Sequence, residues 1–287
     1  MTGSRAAGRR SPTRGQRLGA TLRRLREQAD LTIEQVAERL DCSASKVSRI
    51  ETGQVSAAPR DVRDMLELYR VDQARRDALV KIAREARQPG WWEAYSGVSE
   101  GAPPYTGLET AAAWIHTYMA LAVPSLLQTA DYARAIIGAV RPDLSPHEVD
   151  RRVELRMQRQ ELLQREHPPA FRAILDEALL RRRVGTAAVM RRQLDRLVEA
   201  AAAPSVTVQV LPVAAGAHAG IDGPFTILGF PEPAEPDIVM LDSAAGNLYC
   251  ENPEELRLYR QLFDLLRAKA LATDESVAFI AALSSEL

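Results

Sequence analysis

The sequence contains few of the residues that build disulfide frameworks and metal sites. Among 287 residues there are two cysteines, Cys42 and Cys250, and four histidines. Two cysteines are too few for a disulfide framework or a cysteine-rich zinc site, which favours a reducing, cytoplasmic setting. The histidines, at positions 116, 147, 167 and 218, lack the spacing of metal ligands. We therefore expect neither a metal nor another cofactor.

Long apolar runs are also missing. The longest, Ala111–Val123, is interrupted by His116 and Thr117 and is too short to cross a bilayer. The basic N-terminus lacks the apolar stretch of a secretion signal. These features predict a cytoplasmic protein with no membrane partner, associated with the nucleoid if it binds DNA.

No residue pattern typical of an enzyme is present, so we expect no catalytic residues. The glycine-containing stretch 216–224 lacks the lysine and the following helix of a phosphate-binding loop. His218 in that stretch is a candidate ligand contact, although a loop histidine that satisfies backbone groups is the more ordinary interpretation. The remaining acidic candidates have no nucleophile or acid–base spacing; they are Asp176, Glu177, Asp222, Asp242 and Glu251.

Charge is divided unevenly along the chain, although the net charge is only −1. Residues 1–90 hold 19 Lys and Arg against 12 Asp and Glu, a net of +7, and residues 91–287 hold 18 against 26, a net of −8. A basic first part gains affinity for a phosphate backbone through counterion release, whereas an acidic second part is repelled by DNA. The length and this asymmetry predict two domains.

The stretch Leu31–Gly53 has the pattern of two short helices joined by a tight turn. Apolar residues recur at helical period from Ile33 to Leu40, and Thr32 precedes them as an N-cap. Ser43 can cap the second helix, and the final glycine can end it with a positive φ. The pattern predicts a helix-turn-helix, a motif that reads DNA.

The outward face of the second helix carries small or cationic side chains. A slim polar helix face fits the major groove, and arginine can donate two hydrogen bonds to guanine. An ordinary solvated helix face is the alternative interpretation. If the helix reads DNA, the candidates for base contacts are Ala44, Ser45, Ser48 and Arg49.

This region resembles the Cro/C1-type (XRE-like) helix-turn-helix family. It departs from the family at Ile33, where many members carry Gln beside a phosphate, and at Asp41, where Gly usually makes the turn. The second departure predicts an aspartate with left-handed backbone, which a short polar side chain tolerates. The matching residues are Leu31, Thr32, Val36, Ala37, Ser43, Ser45, Val47, Ser48, Ile50, Glu51 and Gly53.

The resemblance implies further roles for residues around the motif. It implies that Arg26 on the preceding helix pairs with Glu51 and so ties the recognition helix to its scaffold. A carboxylate near a helix C-terminus also gains from a cationic partner on physical grounds. The family further implies an all-α domain of five helices. Candidates for contacts to the DNA backbone are Thr32, Lys46, Thr52 and Arg60.

Composition and periodicity divide the chain into four parts. Residues 1–15 read as a disordered basic arm, 16–88 as the helix-turn-helix domain, 89–106 as a linker and 107–287 as an α+β domain. In the first helix, Leu18, Leu22 and Leu25 are expected inward and Arg17, Arg23 and Arg24 outward.

Two expectations for the α+β domain bear on function. A helical period continues through Leu108, Ile115 and Met119, which predicts a helix there. A capping box at Ser145 predicts a long helix to about Glu166. The arginines of that helix read as a solvated surface rather than a second DNA site; they are Arg151, Arg152, Arg156 and Arg159.

The second part resembles a regulatory region, Scr1-type and antitoxin-like (DUF5753-like), found downstream of bacterial helix-turn-helix domains. The resemblance implies a regulator that acts with a small partner protein, often encoded nearby. The residues that carry it are Gly90–Trp92, Pro124, Leu126–Thr129, Tyr132, Ala133, Arg159, Gln160, Leu175–Glu177, Gln193, Leu194, Val208–Pro212, Ala217, His218 and Gly223–Phe225.

These observations lead to one main hypothesis and two alternatives. The main hypothesis is a homodimeric transcription regulator that reads an inverted repeat in double-stranded DNA and binds a partner protein or effector through its second domain. One alternative is an antitoxin-like protein that acts mainly by sequestering its partner. The other is an enzyme fused to a DNA-targeting domain.

Overall fold

The structure is a computed structural model that describes residues 13–88, 90–95, 102–231, 235–243 and 247–287. The basic arm expected over residues 1–15 lies mostly outside this described part. Its last residues are not an arm, because Thr13 caps the first helix and Arg14 and Gly15 belong to it.

The N-terminal region is built from five α-helices. Their amphipathic faces enclose a single core in which Leu22, Val36 and Met65 are fully buried. The helices are α1 (Arg14–Gln28), α2 (Ile33–Arg39), α3 (Ala44–Glu51), α4 (Pro59–Leu68) and α5 (Gln73–Glu85).

Local sequence signals determine where the two helices of the motif begin and end. The side chains of Thr32 and Ser43 accept hydrogen bonds from the third backbone N–H of α2 and α3, at 3.2 and 3.1 Å. Asp41 in the turn has φ 48°, and Gly53 after α3 has φ 66°. The left-handed aspartate and the terminating glycine expected from the sequence are therefore present.

The second domain combines one mixed sheet with helices on both faces. Short 3₁₀ turns occur at Trp91–Tyr95, Ser125–Leu127, Glu161–Gln164 and Val213–Ala215. The regular elements are α6 (Ala102–Ala111), β1 (Trp114–Met119), α7 (Ala130–Val140), α8 (Pro146–Gln160), β2 (Ala170–Asp176), α9 (Glu177–Arg181), α10 (Ala187–Ala201), β3 (Val206–Leu211), β4 (Phe225–Gly229), β5 (Ile238–Leu241), β6 (Leu248–Cys250), α11 (Pro253–Lys269) and α12 (Thr273–Ser285).

The six strands have the order β3-β2-β1-β4-β5-β6. Strands β1, β2 and β3 are parallel, whereas β4 is antiparallel to β1 and β5 is antiparallel to β4. Strand β5 therefore runs in the same direction as β1–β3. As a result, the carboxyl ends of four strands lie at one edge of the sheet.

Each face of the sheet has its own core. One face, with Ile115 and Phe171, packs against α6, α7, α10 and α12. The other face, with Tyr118 and Ile227, packs against Leu256, Phe263 and Leu266 of α11. An all-helical first domain followed by an α+β domain is the architecture expected from the sequence.

The prediction that a helix continues through Met119 is wrong. The segment Trp114–Met119 is strand β1, the centre of the sheet, paired with β2 on one side and β4 on the other. The apolar spacing of Ile115 and Met119 fits both periods, so it does not distinguish them. The β-branched and aromatic content of the segment favours a strand.

Arg17 is not outward, as its position on α1 suggested, but buried between the domains, with a side chain only 3% exposed. Its guanidinium donates to Glu251 at 2.5 Å and Glu235 at 3.1 Å, also donates to the carbonyl of Pro236, and lies 4.4 Å from the ring of Phe230. All four partners belong to the second domain. Their contacts fix its position against α1.

Arg14 adds a second ion-paired contact at the same place. It donates to Glu85 at 2.7 Å within its own domain and to Glu235 at 3.1 Å across the interface. Burial alone would lower the pKa of Arg14, but Glu235 and Glu85 outweigh it and raise that pKa. The carboxylate of Glu235 thus holds two arginines of α1.

Gly19 allows α1 to lie directly against the end of α3. A Cβ built at this position would lie 2.4 Å from the carbonyl oxygen of Ile50 and 2.8 Å from that of Glu51. Both atoms are backbone and cannot rotate away. The close approach of the two helices therefore requires glycine here.

We expect Gly19→Ala to lower the free energy of unfolding by about 1–3 kcal/mol through overpacking. Chemical denaturation followed by circular dichroism measures this change. Gly138→Ala in α7 is the matched control, because nothing lies within 4 Å of the position that its added methyl group would take, and it should be neutral or stabilising by about 0.5–1 kcal/mol. Equal effects of the two substitutions would contradict the close contact.

Candidate nucleic-acid interface

The exposed face of α3 is the candidate recognition surface. Val47 and Ile50 are buried in the domain core, whereas Ser45 and Arg49 on the opposite side are exposed and Ser48 is half-buried. The helix has only eight residues, so its orientation depends on these core contacts rather than on its own stability. The polar face is consequently presented outward by the packing.

Arg49 is available to a ligand. Its Nε donates to the carbonyl of Ser45 at 3.3 Å along the same helix, and no carboxylate among the described residues pairs with it. A long guanidinium with only a weak local contact can extend at little cost. This is the property expected of a side chain that reaches a base edge.

Ala44 differs from the other three base-contact candidates. It is half-buried and packs against the domain core. The part of the surface that projects into solvent is formed by Ser45, Ser48 and Arg49. Any contact of Ala44 with DNA would be limited to the small exposed part of its methyl group.

The candidate backbone contacts surround this face but differ in their partners. Lys46 forms an ion pair with Asp61 of α4 at 2.8 Å, so a phosphate must compete with a carboxylate for it. Arg60 is 88% exposed and lies 3.8 Å from Asp64. Exposed pairs of this kind contribute little energy, so Arg60 is free to turn toward a phosphate.

The two threonines use their hydroxyl groups differently. Thr32 accepts from the backbone N–H of Gln35, which leaves its hydroxyl proton available for donation. Thr52 donates its proton to the carbonyl of Ser48 at 2.8 Å. Both side chains are exposed. Thr32 is therefore suited to donate to a phosphate oxygen, whereas Thr52 can only accept until that bond breaks.

The ion pair expected between Arg26 and Glu51 is present and buried. Nε and Nη2 of Arg26 donate to the two carboxylate oxygens of Glu51 at 2.7 and 2.9 Å. Nη1 donates to the carbonyl of Leu31 at 2.8 Å. The hydrogen bonds to Glu51 raise the pKa of Arg26. One arginine thus joins α1, the start of the motif and the end of α3.

Two features of this region were not found from the sequence. Asp61, which holds Lys46, lies on the next helix, and no periodicity connects the two positions. The contact of Gly19 with the end of α3 had a signal, since glycine inside a helix often marks a close packing contact, but the sequence does not identify the partner.

Two of the acidic and histidine candidates of the second domain, His218 and Asp176, lie close together. Nδ1 of His218 accepts from the backbone N–H of Gly220 at 3.1 Å, and its Nε2 lies 3.7 Å from Asp176. Asp176 caps α9 by accepting from Ala178 N–H. Glu251 accepts a hydrogen bond from Arg17 at the domain interface. These groups have structural partners.

Neither a metal cluster nor a membrane-spanning helix occurs in the described part of the chain. There, no group of three or more His, Cys, Asp or Glu side chains is arranged to hold a metal ion. Within the same residues, no helix is both long and apolar enough to cross a membrane.

Comparison with family models agrees with this geometry. A model described as a helix-turn-helix domain matches residues 17–79, which include the exposed face of α3. A second model, a domain of unknown function (DUF5753), matches residues 103–282, more than half of the chain. The chain belongs to the DUF5753 family. No curated protein matches it, and no solved structure does either.

The two family models match different domains of this DUF5753 protein. The helix-turn-helix model supports DNA binding by a transcription regulator, and it covers most of α1, including Arg26, as well as α3. The DUF5753 match covers the sheet and most of the helices around it. That match names a family but no activity.

We expect Arg26→Ala to lower both the stability and the DNA affinity of the protein. Removing one partner of a buried ion pair leaves the other charge uncompensated, which costs about 3–5 kcal/mol. Thermal unfolding by circular dichroism and a DNA-binding titration measure the two effects. If Arg26→Ala changed neither, the pair would not anchor α3.

A double-mutant cycle provides the control for this prediction. Arg26→Ala combined with Glu51→Ala removes both charges, so we expect it to cost less than the sum of the two single substitutions. Additive losses would show that the two side chains act independently.

Proposed function

We propose that this DUF5753 protein is a sequence-specific transcription regulator without enzymatic activity, which acts as a homodimer on an inverted repeat. The observation that carries this proposal is the exposed face of α3, held in place by the buried pair of Arg26 and Glu51. The basic charge of residues 1–90 supports it, because positive charge favours binding to the phosphate backbone.

Within this proposal the side chains around α3 have two different roles. Arg49, Ser45 and Ser48 face the bases, and contacts to base edges specify sequence. Thr32 and Arg60 face the backbone, and contacts to phosphates position the domain without reading sequence. Lys46 joins the second group once DNA displaces Asp61.

The proposed dimer follows from the small size of one helix-turn-helix. A single module buries limited DNA surface, and two half-sites one helical turn apart provide the additional affinity. A surface suited to a second copy lies on α11, where Leu258 and Leu265 are each 50% exposed and seven residues apart on one face. On the same face Glu254 lies near the start of the helix and Lys269 at its end, so two copies packed antiparallel would place opposite charges together.

The second domain is proposed to receive a signal, from a small partner protein or an effector. The net charge of −8 over residues 91–287 keeps it away from DNA, and its ion pairs with Arg14 and Arg17 connect it to α1. An antitoxin-like protein that mainly sequesters its partner would also bind that partner through the second domain, but it would not need an operator. Chromatin precipitation with sequencing, combined with analysis of co-purified proteins, distinguishes the two: a defined inverted repeat supports the regulator, and its absence contradicts it.

We expect Arg49→Ala to cost about 1–3 kcal/mol of binding to the operator and to relax discrimination at one base pair. Arg60→Ala should weaken binding to all sequences by a similar factor and make the salt dependence shallower by about one unit of slope. Titrations against the operator and a scrambled duplex at several salt concentrations measure both. A footprint and specificity unchanged by Arg49→Ala would remove that residue from base recognition.

We expect Leu258→Asp with Leu265→Asp to convert the dimer to a monomer, because the substitutions place charge in an apolar contact. Sedimentation velocity measures the change, and affinity for a half-site should be retained. Val140→Asp is the matched control, because Val140 is 69% exposed and ends α7, which packs on the opposite face of the sheet from α11. A wild-type protein that sediments as a monomer, or a variant that remains dimeric, would reject this interface.

A further inference from the structure

The arginines of α8 are not the solvated surface expected from the sequence. Arg152, Arg156 and Arg159 follow the spacing of one helix face, and all three are half-buried. Arg159 is neutralised, since it donates two hydrogen bonds to the buried carboxylate of Glu109 at 2.8 and 2.7 Å. The other two have no such partner among the described residues.

Arg152 and Arg156 lack a direct ion pair, and the described carboxylates near them act only electrostatically: Asp143 and Glu148 on Arg152, and Asp242 on Arg156. Neither forms an ion pair with a described carboxylate, and Nε of Arg152 is buried without a hydrogen-bond partner in this part of the chain. Burial, with Arg159 and Arg152 nearby, lowers the pKa of Arg156 to about 10, which still leaves it charged at neutral pH. Such a buried charge is costly unless something pairs with it.

An amide network holds Arg156 in a defined position. Its Nη1 donates to Oε1 of Gln128 at 2.7 Å, while Nε2 of Gln128 donates to the carbonyl of Val123 at 2.7 Å. Gln160 in turn donates to the carbonyls of Ser125 and Gln128 at 2.9 and 2.7 Å. The guanidinium therefore has little freedom to swing into solvent, and its unused donors keep their direction.

The location is one where sheets of this kind bind ligands. Gln128 follows the carboxyl end of β1, Asp242 follows that of β5, and both strands end at the same edge. In open sheets with helices on both faces, ligands bind outside the carboxyl ends of the parallel strands. Arg182, after α9, adds another positive charge near Tyr132 at this edge.

We infer that Arg152, Arg156 and Gln128 form a binding site for a small dianionic group, a phosphate monoester or a dicarboxylate. Two guanidinium groups match two negative charges, and planar forks of N–H donors suit oxygen pairs on phosphate or carboxylate. Asp242 acts electrostatically on Arg156 and Arg159, which disfavours a long polyanion. A second DNA contact is therefore the weaker explanation for these arginines.

That the anion acts as an effector rests on the proposed regulatory function. That the site binds an anion does not. Thermal unfolding of the full chain is measured with inorganic phosphate or with succinate, against sodium chloride at equal ionic strength. An anion at about ten times its dissociation constant should raise the melting temperature by about 2–4 °C. The response to phosphate or to succinate identifies which chemistry the site prefers.

Substitutions identify the residues that bind the anion. Arg152→Gln with Arg156→Gln should abolish the rise while leaving the unliganded melting temperature unchanged or higher, because two half-buried charges without a direct ion pair are removed. Arg165→Gln is the matched control; it lines a separate cavity of about 330 Å³ beside Trp91. Arg49→Ala controls for phosphate bound at the DNA face. Both controls should keep the full response, and isothermal titration with the same anions provides a second measurement.

Three results would overturn the inference. No rise with either anion beyond that in chloride would show that the arginines hold no such ligand. A response lost in Arg165→Gln but kept in the double variant would move the site to the other cavity. Weaker DNA binding and a shallower salt slope in the double variant would make these arginines backbone contacts. The first two results do not depend on whether the protein binds DNA.

Discussion

The recognition helix depends on one buried ion pair. Helix α3 has only eight residues and would not hold its shape or direction alone. The pair of Arg26 and Glu51 fixes its C-terminal end to α1, and Gly19 allows the two helices to lie close enough for that contact. The exposed side chains of α3 thus derive their position from residues that do not themselves face DNA.

The sequence predicted best those features that depend on neighbouring residues. The caps at Thr32 and Ser43 and the left-handed backbone of Asp41 follow from local hydrogen bonding and backbone geometry. Features that depend on distant contacts were missed. Strand β1 has an apolar spacing compatible with a helix, and only its pairing with β2 and β4 decides the matter. Arg17 is inward for a similar reason, since its partners lie more than 200 residues away.

Charge has different consequences in the two domains. Around α3, cations are exposed or paired weakly, so they can exchange a carboxylate for a phosphate with little loss. On α8, Arg156 is half-buried and held by the amide of Gln128, and Asp242 acts on it only electrostatically, so the lack of a direct ion pair has an energetic cost. The same residue type therefore supports mobile contact with a long polyanion in one domain and selective pairing with a compact anion in the other.

The contacts of Arg17 also constrain how the domains move. A flexible linker alone would let the DNA-binding domain rotate freely, but a guanidinium enclosed by Glu235, Glu251 and Phe230 holds it in one orientation. In the proposed dimer, the second domains would then set the separation and angle of the two recognition helices. Inserting one base pair between half-sites rotates one of them by about 34–36°, a mismatch that a rigid pair cannot follow. Operators of this protein should therefore tolerate changes in half-site sequence better than changes in half-site spacing.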